Sequence, residues 1–233
     1  MNRILTLAGG AVAVAGIAAA APAGAQQAAS GPVAMASAAA APVPAERAAR
    51  VVDEALTRAT AEGRFSGVVM VAKDGRPVFQ RAYGMADRAR GIPNALETQF
   101  NLGSMNKMFT AVSIAQLVAQ GKLSYQDPVS KHIPDFPTRA AAEKIRIEHL
   151  LTHTSGLGSY FNPRFFAERP ATVAAIMDVA RQDTALAFEP GKGWRYSNTG
   201  FLLLGAIIEK VTGQDYYDYV RDHVFTPAGM SSS

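Results

Sequence analysis

The segment that decides the fold is GSMNKMFTAVSIAQLVAQ, residues 103–120, whose composition predicts a helix that ends at Gly121. Its first turn carries Ser104 and Lys107 in an S-x-x-K pattern. Residues three apart on a helix share a face, so the hydroxyl and the ammonium can meet. The positive end of the helix dipole would lie beside an oxyanion formed at Ser104. This geometry can activate a serine, but the pattern alone is better explained as an N-cap followed by a solvated lysine.

Two further motifs follow this helix in order along the chain. The stretch LLTHTSGL occupies residues 150–157, and Tyr196-Ser197-Asn198 lies in a predicted loop ahead of an apolar helix over 199–211. Taken alone, Tyr196 would be a packed aromatic residue and Asn198 a turn residue. The ordered set of three motifs makes a shared chemical role the better interpretation.

The rest of the chain supplies a helix, a hairpin and further helices. Residues 47–60 have the spacing of an amphipathic helix. A β-branched run at 68–72 and a strand-like segment at 78–83 flank Asp74-Gly75, a strong hairpin turn signal. No strand is predicted after this hairpin. Short helices are predicted at 147–152, 172–182 and 215–225. The stripe of Met105, Met108, Phe109 and Val112 is predicted to lie in the core.

These motifs resemble those of the β-lactamase-related serine hydrolases, which include class C β-lactamases, D-alanyl-D-alanine carboxypeptidases and related esterases. Residues 65–84 resemble the family's opening hairpin, 100–107 its nucleophile helix and 189–198 its tyrosine loop. The resemblance implies an α/β sandwich of the serine β-lactamase/penicillin-binding type, with an antiparallel sheet, terminal helices on one side and an inserted helical region.

The resemblance also implies roles for four residues. Ser104 would be the acylated nucleophile and Lys107 its partner in proton transfer. Tyr196 would be a phenolate-like base stabilised by Lys107, and Asn198 would donate to the substrate amide.

Two features depart from the family pattern. Asn106 stands where the family usually has threonine before the lysine, and no K-T-G or H-x-G triplet follows the tyrosine loop. In the family that triplet lies on a late strand, which supplies the second oxyanion-hole amide. We therefore expect residues 47–233 to be the N-terminal portion of a β-lactamase-related domain whose late strands are missing from this chain.

The predicted function is that of an exported serine hydrolase, which forms an acyl-serine intermediate on β-lactam, D-amino-acid peptide or ester substrates. The alternative is a non-catalytic module that binds cell wall or protein after loss of the third motif. A Ser-His-Asp hydrolase is disfavoured because no G-x-S-x-G is present. His149 and His153 have the spacing of a zinc pair but lack the H-E-x-x-H glutamate, so neither metal nor cofactor is predicted.

The N-terminal region predicts the location of the protein. Residues 1–25 have the layout of a cleaved secretory signal, and residues 26–46 form an Ala/Pro-rich linker. These segments predict a periplasmic or secreted protein without a stable membrane anchor. Such a location is compatible with cell-wall association. The net charge of +4, from 23 basic and 19 acidic residues without a basic run, argues against a nucleic-acid partner. The absence of cysteine excludes a thiolate nucleophile.

Overall fold

The computed structural model describes residues 44–134, 136, 138–182 and 185–233. The predicted signal at 1–25 and residues 26–43 of the predicted linker lie outside the described residues. The chain divides between Thr98 and Gln99 into two compact units, which are described in turn. Across the described ranges, no helix combines the length and the apolar character needed to cross a bilayer.

The first unit contains a helix and two small antiparallel ladders. Its elements are α1 (Ala45–Ala61), β1 (Gly67–Lys73), β2 (Arg76–Tyr83), β3 (Met85–Asp87) and β4 (Ile92–Pro93).

The hairpin prediction is confirmed, because β1 and β2 pair antiparallel with Gly67 opposite Tyr83. Between them Asp74 and Gly75 have φ values of 51° and 74°, and positive φ at both central residues is what a type I′ turn requires. The expectation of no later strand is wrong, because β3 pairs with β4. Strands of three and two residues are too short to produce a recognisable alternation of apolar and polar residues.

Polar side chains connect α1 to β2. The Asp53 carboxylate accepts hydrogen bonds from Arg81 Nη1 and from the Tyr83 hydroxyl, each at 2.7 Å. Burial, followed by the bond to Asp53, raises the pKa of Tyr83 to about 12. No residue of α1 is fully buried, and this polar contact links α1 to β2.

The second unit is helical. A 3₁₀ turn at Gly103–Asn106 leads into α2 (Lys107–Ala119), and six more α-helices follow: α3 (Arg139–Lys144), α4 (Ile147–Leu151), α5 (Pro163–Glu168), α6 (Val173–Ala180), α7 (Asn198–Thr212) and α8 (Tyr216–Val220). A π-helical turn at Arg221–Phe225 continues α8.

The structure confirms the predicted helices of this unit and adds two that the sequence did not predict, α3 and α5. Each has six residues and begins at a side-chain cap. Thr138 accepts a hydrogen bond from the Ala141 amide, and Asn162 accepts one from the Phe165 amide. The cap therefore defines each of these helices better than its apolar spacing does.

The core of the second unit surrounds α7, which packs against α2, α4 and α6. The fully buried core side chains include Ile114, Leu150, Leu203, Leu204 and Ile207, each 0% exposed. This packing holds the start of α2 and the start of α7 in a fixed geometry.

The predicted burial of the Met105–Val112 stripe in the core is wrong. Met105, Met108 and Val112 are 49%, 48% and 43% exposed, and Phe109 is half-buried against Phe225 outside the core cluster. The helix itself was predicted correctly, but the face of α2 that is buried carries Thr110, Ser113, Ile114 and Leu117 and not the predicted stripe.

Candidate active site

Ser104 lies in the 3₁₀ turn that precedes α2. Gly103 begins this turn with φ of +54°, and its amide donates to Asn101 Oδ1 at 2.8 Å. Residues i and i+3 of a 3₁₀ turn are eclipsed, which places Lys107 directly over Ser104. Lys107 Nζ accordingly lies 3.4 Å from Ser104 Oγ, to which it donates.

The tyrosine loop is fixed by the segment that contains His153. The Gly191 amide donates to the Thr154 carbonyl at 2.8 Å, and the Arg195 amide donates to the His153 carbonyl at 2.9 Å. The Ser197 amide donates to His153 Nδ1 at 3.1 Å. His153 therefore holds the backbone on both sides of Tyr196.

Ser197 connects this loop to α7. Its hydroxyl accepts a hydrogen bond from the Gly200 amide at 2.8 Å and donates to the Gly158 carbonyl at 2.9 Å. The side chain is completely buried. This cap fixes where α7 begins and thereby the position of Asn198, its first residue.

The structure brings all four predicted site residues together. The Tyr196 hydroxyl donates to Ser104 Oγ at 2.6 Å. Lys107 Nζ donates to Asn198 Oδ1 at 2.8 Å and lies 4.9 Å from the centroid of the Tyr196 ring. One ammonium thus contacts the serine, the tyrosine and the asparagine.

The surroundings of Tyr196 favour its ionised form. Partial burial raises the pKa of the hydroxyl, but hydrogen bonding to Lys107 and Ser104 and the charge of Lys107 outweigh burial, so the pKa lies below the ordinary 10.0. A lowered pKa increases the fraction of Tyr196 that is present as phenolate near neutral pH. The phenolate is the form that can accept a proton.

Three residues that contact the four predicted ones were not assigned to this site from the sequence. Ser159 Oγ accepts a hydrogen bond from Asn198 Nδ2 at 3.0 Å, which orients the amide so that its oxygen faces Lys107. The centroid of the Phe201 ring lies 5.5 Å from Lys107 Nζ. The only sequence signal for Phe201 is its position three residues after Asn198 on one helix.

His153 is the third residue. Its ring lies 4.6 Å from the Tyr196 ring and 5.3 Å from the Phe201 ring, measured between centroids. Burial, and after it the charge of Lys107, lowers the pKa of His153 below 6.5. A neutral imidazole with Nδ1 as acceptor carries its proton on Nε2. His153 is adjacent to the site as a support for Tyr196, and its φ of 61° shows that the backbone there is constrained.

A cavity of about 440 Å³ opens beside Ser104. Its polar lining residues near the nucleophile include Asn101, Asn106, Lys107 and Asn198, and its other walls come from α6, α7 and α8. Among the described residues, no group of three or more His, Asp or Glu side chains is arranged to hold a metal ion.

Comparison with known proteins places this geometry in a family. The beta-lactamase family model matches residues 48–233. A penicillin-binding protein of Bacillus subtilis (strain 168) is 36% identical over 174 residues, which cover 73% of this chain and 38% of the relative. Esterase EstB of Burkholderia gladioli is 34% identical over 206 residues, which cover 80% of this chain and 51% of the esterase.

A solved structure agrees with these relatives. EstCE1, described as a hydrolase with promiscuous acyltransferase activity, superimposes on this chain with a TM-score of 0.70 at 29% identity. The superposition covers 79% of this chain and 52% of EstCE1. The chain spans about half or less of the length of these three proteins. The predicted fold class is confirmed, and the chain belongs to the beta-lactamase family.

Proposed function

We propose that the protein is an exported serine hydrolase that forms an acyl-serine intermediate on β-lactam, D-amino-acid peptide or ester substrates. The observation that carries this proposal is the 2.6 Å hydrogen bond between the Tyr196 hydroxyl and Ser104 Oγ, with Lys107 in contact with both residues. A serine is a weak nucleophile unless a neighbouring base removes its proton.

Acylation uses this contact directly. Tyr196, as the phenolate stabilised by Lys107, takes the proton from Ser104 while Oγ attacks the substrate carbonyl carbon. The tetrahedral intermediate then collapses, the bond from carbon to the leaving group breaks, and Tyr196 returns the proton to the leaving group. In the second half of the reaction, water attacks the acyl carbon and gives a proton to Tyr196, the bond from that carbon to Ser104 Oγ breaks, and Tyr196 returns the proton to Oγ as the acid is released.

The first turn of the helix supplies part of the oxyanion stabilisation. Backbone amides in a first turn have no acceptor within the helix, and the Ser104 amide lies there. The dipole end at the same position favours negative charge. A single oxyanion donor is worth about a hundred- to a thousandfold in rate.

Asn198 is suited to bind the substrate amide. One N–H of its Nδ2 is taken by Ser159, and an amide nitrogen has two, so the second is available to a substrate carbonyl. Its oxygen is held by Lys107 at 2.8 Å. Asn198 therefore couples substrate binding to the position of the ammonium.

The names of the relatives support the breadth of this substrate range. One is a penicillin-binding protein, a second an esterase and a third a hydrolase with acyltransferase activity. Export is supported by the signal layout of residues 1–25, and the penicillin-binding relative favours a place near the cell wall.

The experiment that tests this proposal is covalent labelling of the complete gene product. The protein is treated with a fluorescent penicillin and separately with a fluorophosphonate, and the adduct is located by peptide mass mapping. We expect the label on Ser104 for at least one reagent. Ser113→Ala is a suitable control, since Ser113 lies on the same helix with its hydroxyl bonded to the Phe109 carbonyl at 2.9 Å.

Equal labelling of the Ser104→Ala variant, or an adduct on another residue, would contradict the proposal. A folded protein that binds the reagents reversibly and never forms an adduct would support a non-catalytic binding module instead.

A further inference from the structure

The cavity beside Ser104 is polar at one end and apolar along the rest of its length. Ser104 and Lys107 line the polar end. Val173 and Leu202, which are 6% and 8% exposed, line the inner part, and Phe161 lies at the rim with 48% exposure. A volume of about 440 Å³ falls in the range of small-molecule sites, roughly 300–1,000 Å³.

The position of Tyr196 indicates which part of a substrate occupies this cavity. Tyr196 contacts Ser104 Oγ but is not among the residues that line the cavity. The leaving group must receive its proton from the group that took it from the serine, so it lies on the Tyr196 side. The rest of the acyl group extends from the attacked carbonyl carbon away from the leaving group. The cavity beside Ser104 is not lined by Tyr196 and can therefore hold the acyl chain.

The lining favours an uncharged, apolar acyl group. Lys107 is the only charged side chain among the described residues that line the cavity, and its ammonium is already bonded to Asn198. Thr110 and Tyr216 also line it, but their hydroxyls bond to each other at 2.6 Å. Beyond the asparagines at the polar end, a charged acyl group would lose its hydration against Val173, Ile176 and Leu202 without meeting an opposite charge.

The three tyrosines that line the cavity stay protonated, so they add no negative charge to its walls. Burial raises the pKa of Tyr160, Tyr216 and Tyr217 above the ordinary 10.0. Their rings contribute apolar surface together with Phe161, which packs on Tyr160 at 4.7 Å between centroids.

We infer that this cavity is an acyl-binding site for apolar acyl groups of medium length, such as hexanoyl and octanoyl groups. The inference rests on the proposed function and specifies its substrate class. Burial of one methylene contributes about 0.8 kcal/mol, or roughly fourfold in an equilibrium or rate constant. Octanoyl has four more methylenes than butanoyl. Their partial burial should therefore raise kcat/KM by at least about tenfold.

The first test compares kcat/KM of the complete gene product for p-nitrophenyl acetate, butanoate, hexanoate and octanoate. We expect octanoate to exceed butanoate by about tenfold or more. In Ile176→Trp, which fills the inner cavity, the ratio of octanoate to acetate should fall at least about tenfold. The matched control is Ala174→Phe, an exposed position on the same helix outside the lining, which should leave the ratio unchanged.

Phe161→Ala provides a second variant with little risk to folding, because the side chain is half exposed at the rim. It should lower the ratio of octanoate to acetate by several fold. A wild-type preference for acetate or butanoate, or an unchanged ratio in both cavity variants, would overturn the inference.

Binding separates this inference from the proposed function. Ser104→Ala protein is titrated with sodium octanoate and sodium butanoate by calorimetry, and octanoate should bind about tenfold or more tightly. If wild-type protein hydrolyses no ester but this difference is measured, the acyl site stands and the proposed function falls. Equal or undetectable binding of both acids would overturn the acyl site, even when acetate is hydrolysed.

Discussion

The two units of the chain are stabilised in different ways. In the first unit, Tyr83 is the only large apolar side chain that is buried among the described residues, and Asp53 connects the helix to the strand through polar contacts. In the second unit, α7 carries a continuous run of buried residues from Leu202 to Ile208. All residues of the candidate active site are in the second unit. The chemistry is thus placed on the part of the molecule with the stronger core.

The comparison predicts its largest effect for a truncation in the core of the second unit. Leu204 is 0% exposed in the middle of α7, and Leu204→Ala should lower the free energy of unfolding by about 2–5 kcal/mol, because it removes buried methyl groups and leaves a cavity. Urea denaturation followed by circular dichroism measures this loss.

A matched pair of valines sharpens the contrast. Val129 in the second unit is 0% exposed, whereas Val78 on β2 is 40% exposed. Val129→Ala should cost roughly 2 kcal/mol and Val78→Ala less than about 0.5 kcal/mol. Equal losses for the two variants would show that the units do not differ in the way described.

A smaller effect is expected from the polar connection of the first unit. Asp53→Ala removes the acceptor for Arg81 and Tyr83 and should lower the stability of that unit by about 1 kcal/mol, since these groups are only partly shielded from water. Hydrogen exchange should become faster in β1 and β2 and stay unchanged in α7. Glu54→Ala, at an exposed neighbouring position of α1, is the control and should alter neither region.

Acid should weaken the second unit selectively. Burial lowers the pKa of His132, His149 and His153, and the sequence contains no histidine before His132. Because these folded-state pKa values lie below 6.5, the unfolded chain binds more protons than the folded one as pH falls below 6.5. Stability is therefore fully present above pH 6.5 and decreases as pH falls toward the lowered values.

This pH effect is measured as the urea midpoint at pH 7.5 and pH 5.5, with hydrogen exchange corrected for intrinsic rates to separate the units. Helices of the second unit should lose protection at pH 5.5, and the β1–β2 hairpin should not. Substitution of His132 by glutamine should reduce the difference between the two pH values. A larger acid effect in the hairpin than in α7 would be the opposite of the expected result.

The predictable part of the fold was the part determined by local sequence. The hairpin followed from Asp74-Gly75, because few residue pairs adopt positive φ at both turn positions. The long helices followed from apolar spacing. The helices α3 and α5 were missed because their sequences, RAAAEK and PRFFAE, lack the large apolar residues at helical spacing that the equally short α4, IEHLL, contains.

The remaining features depend on contacts between distant segments. Which face of α2 is buried is decided by α7, so Met105 and its neighbours were assigned to the core incorrectly. The four residues Ser104, Lys107, Tyr196 and Asn198 were identified through their resemblance to a family. Ser159 was not, because the orientation of the Asn198 amide becomes apparent only when residues 39 positions apart are in contact.

The central claim is that Lys107 and Tyr196 act as one unit on the Ser104 proton. The most direct measurement is a double-mutant cycle on the acylation rate of Ser104, with Lys107→Ala, Tyr196→Phe and the double variant of the complete gene product. Each single change should slow acylation by about a hundred- to ten-thousandfold, and the double variant should be little slower than the worse single one. If the two losses simply multiply, the two residues act independently and the claim is wrong.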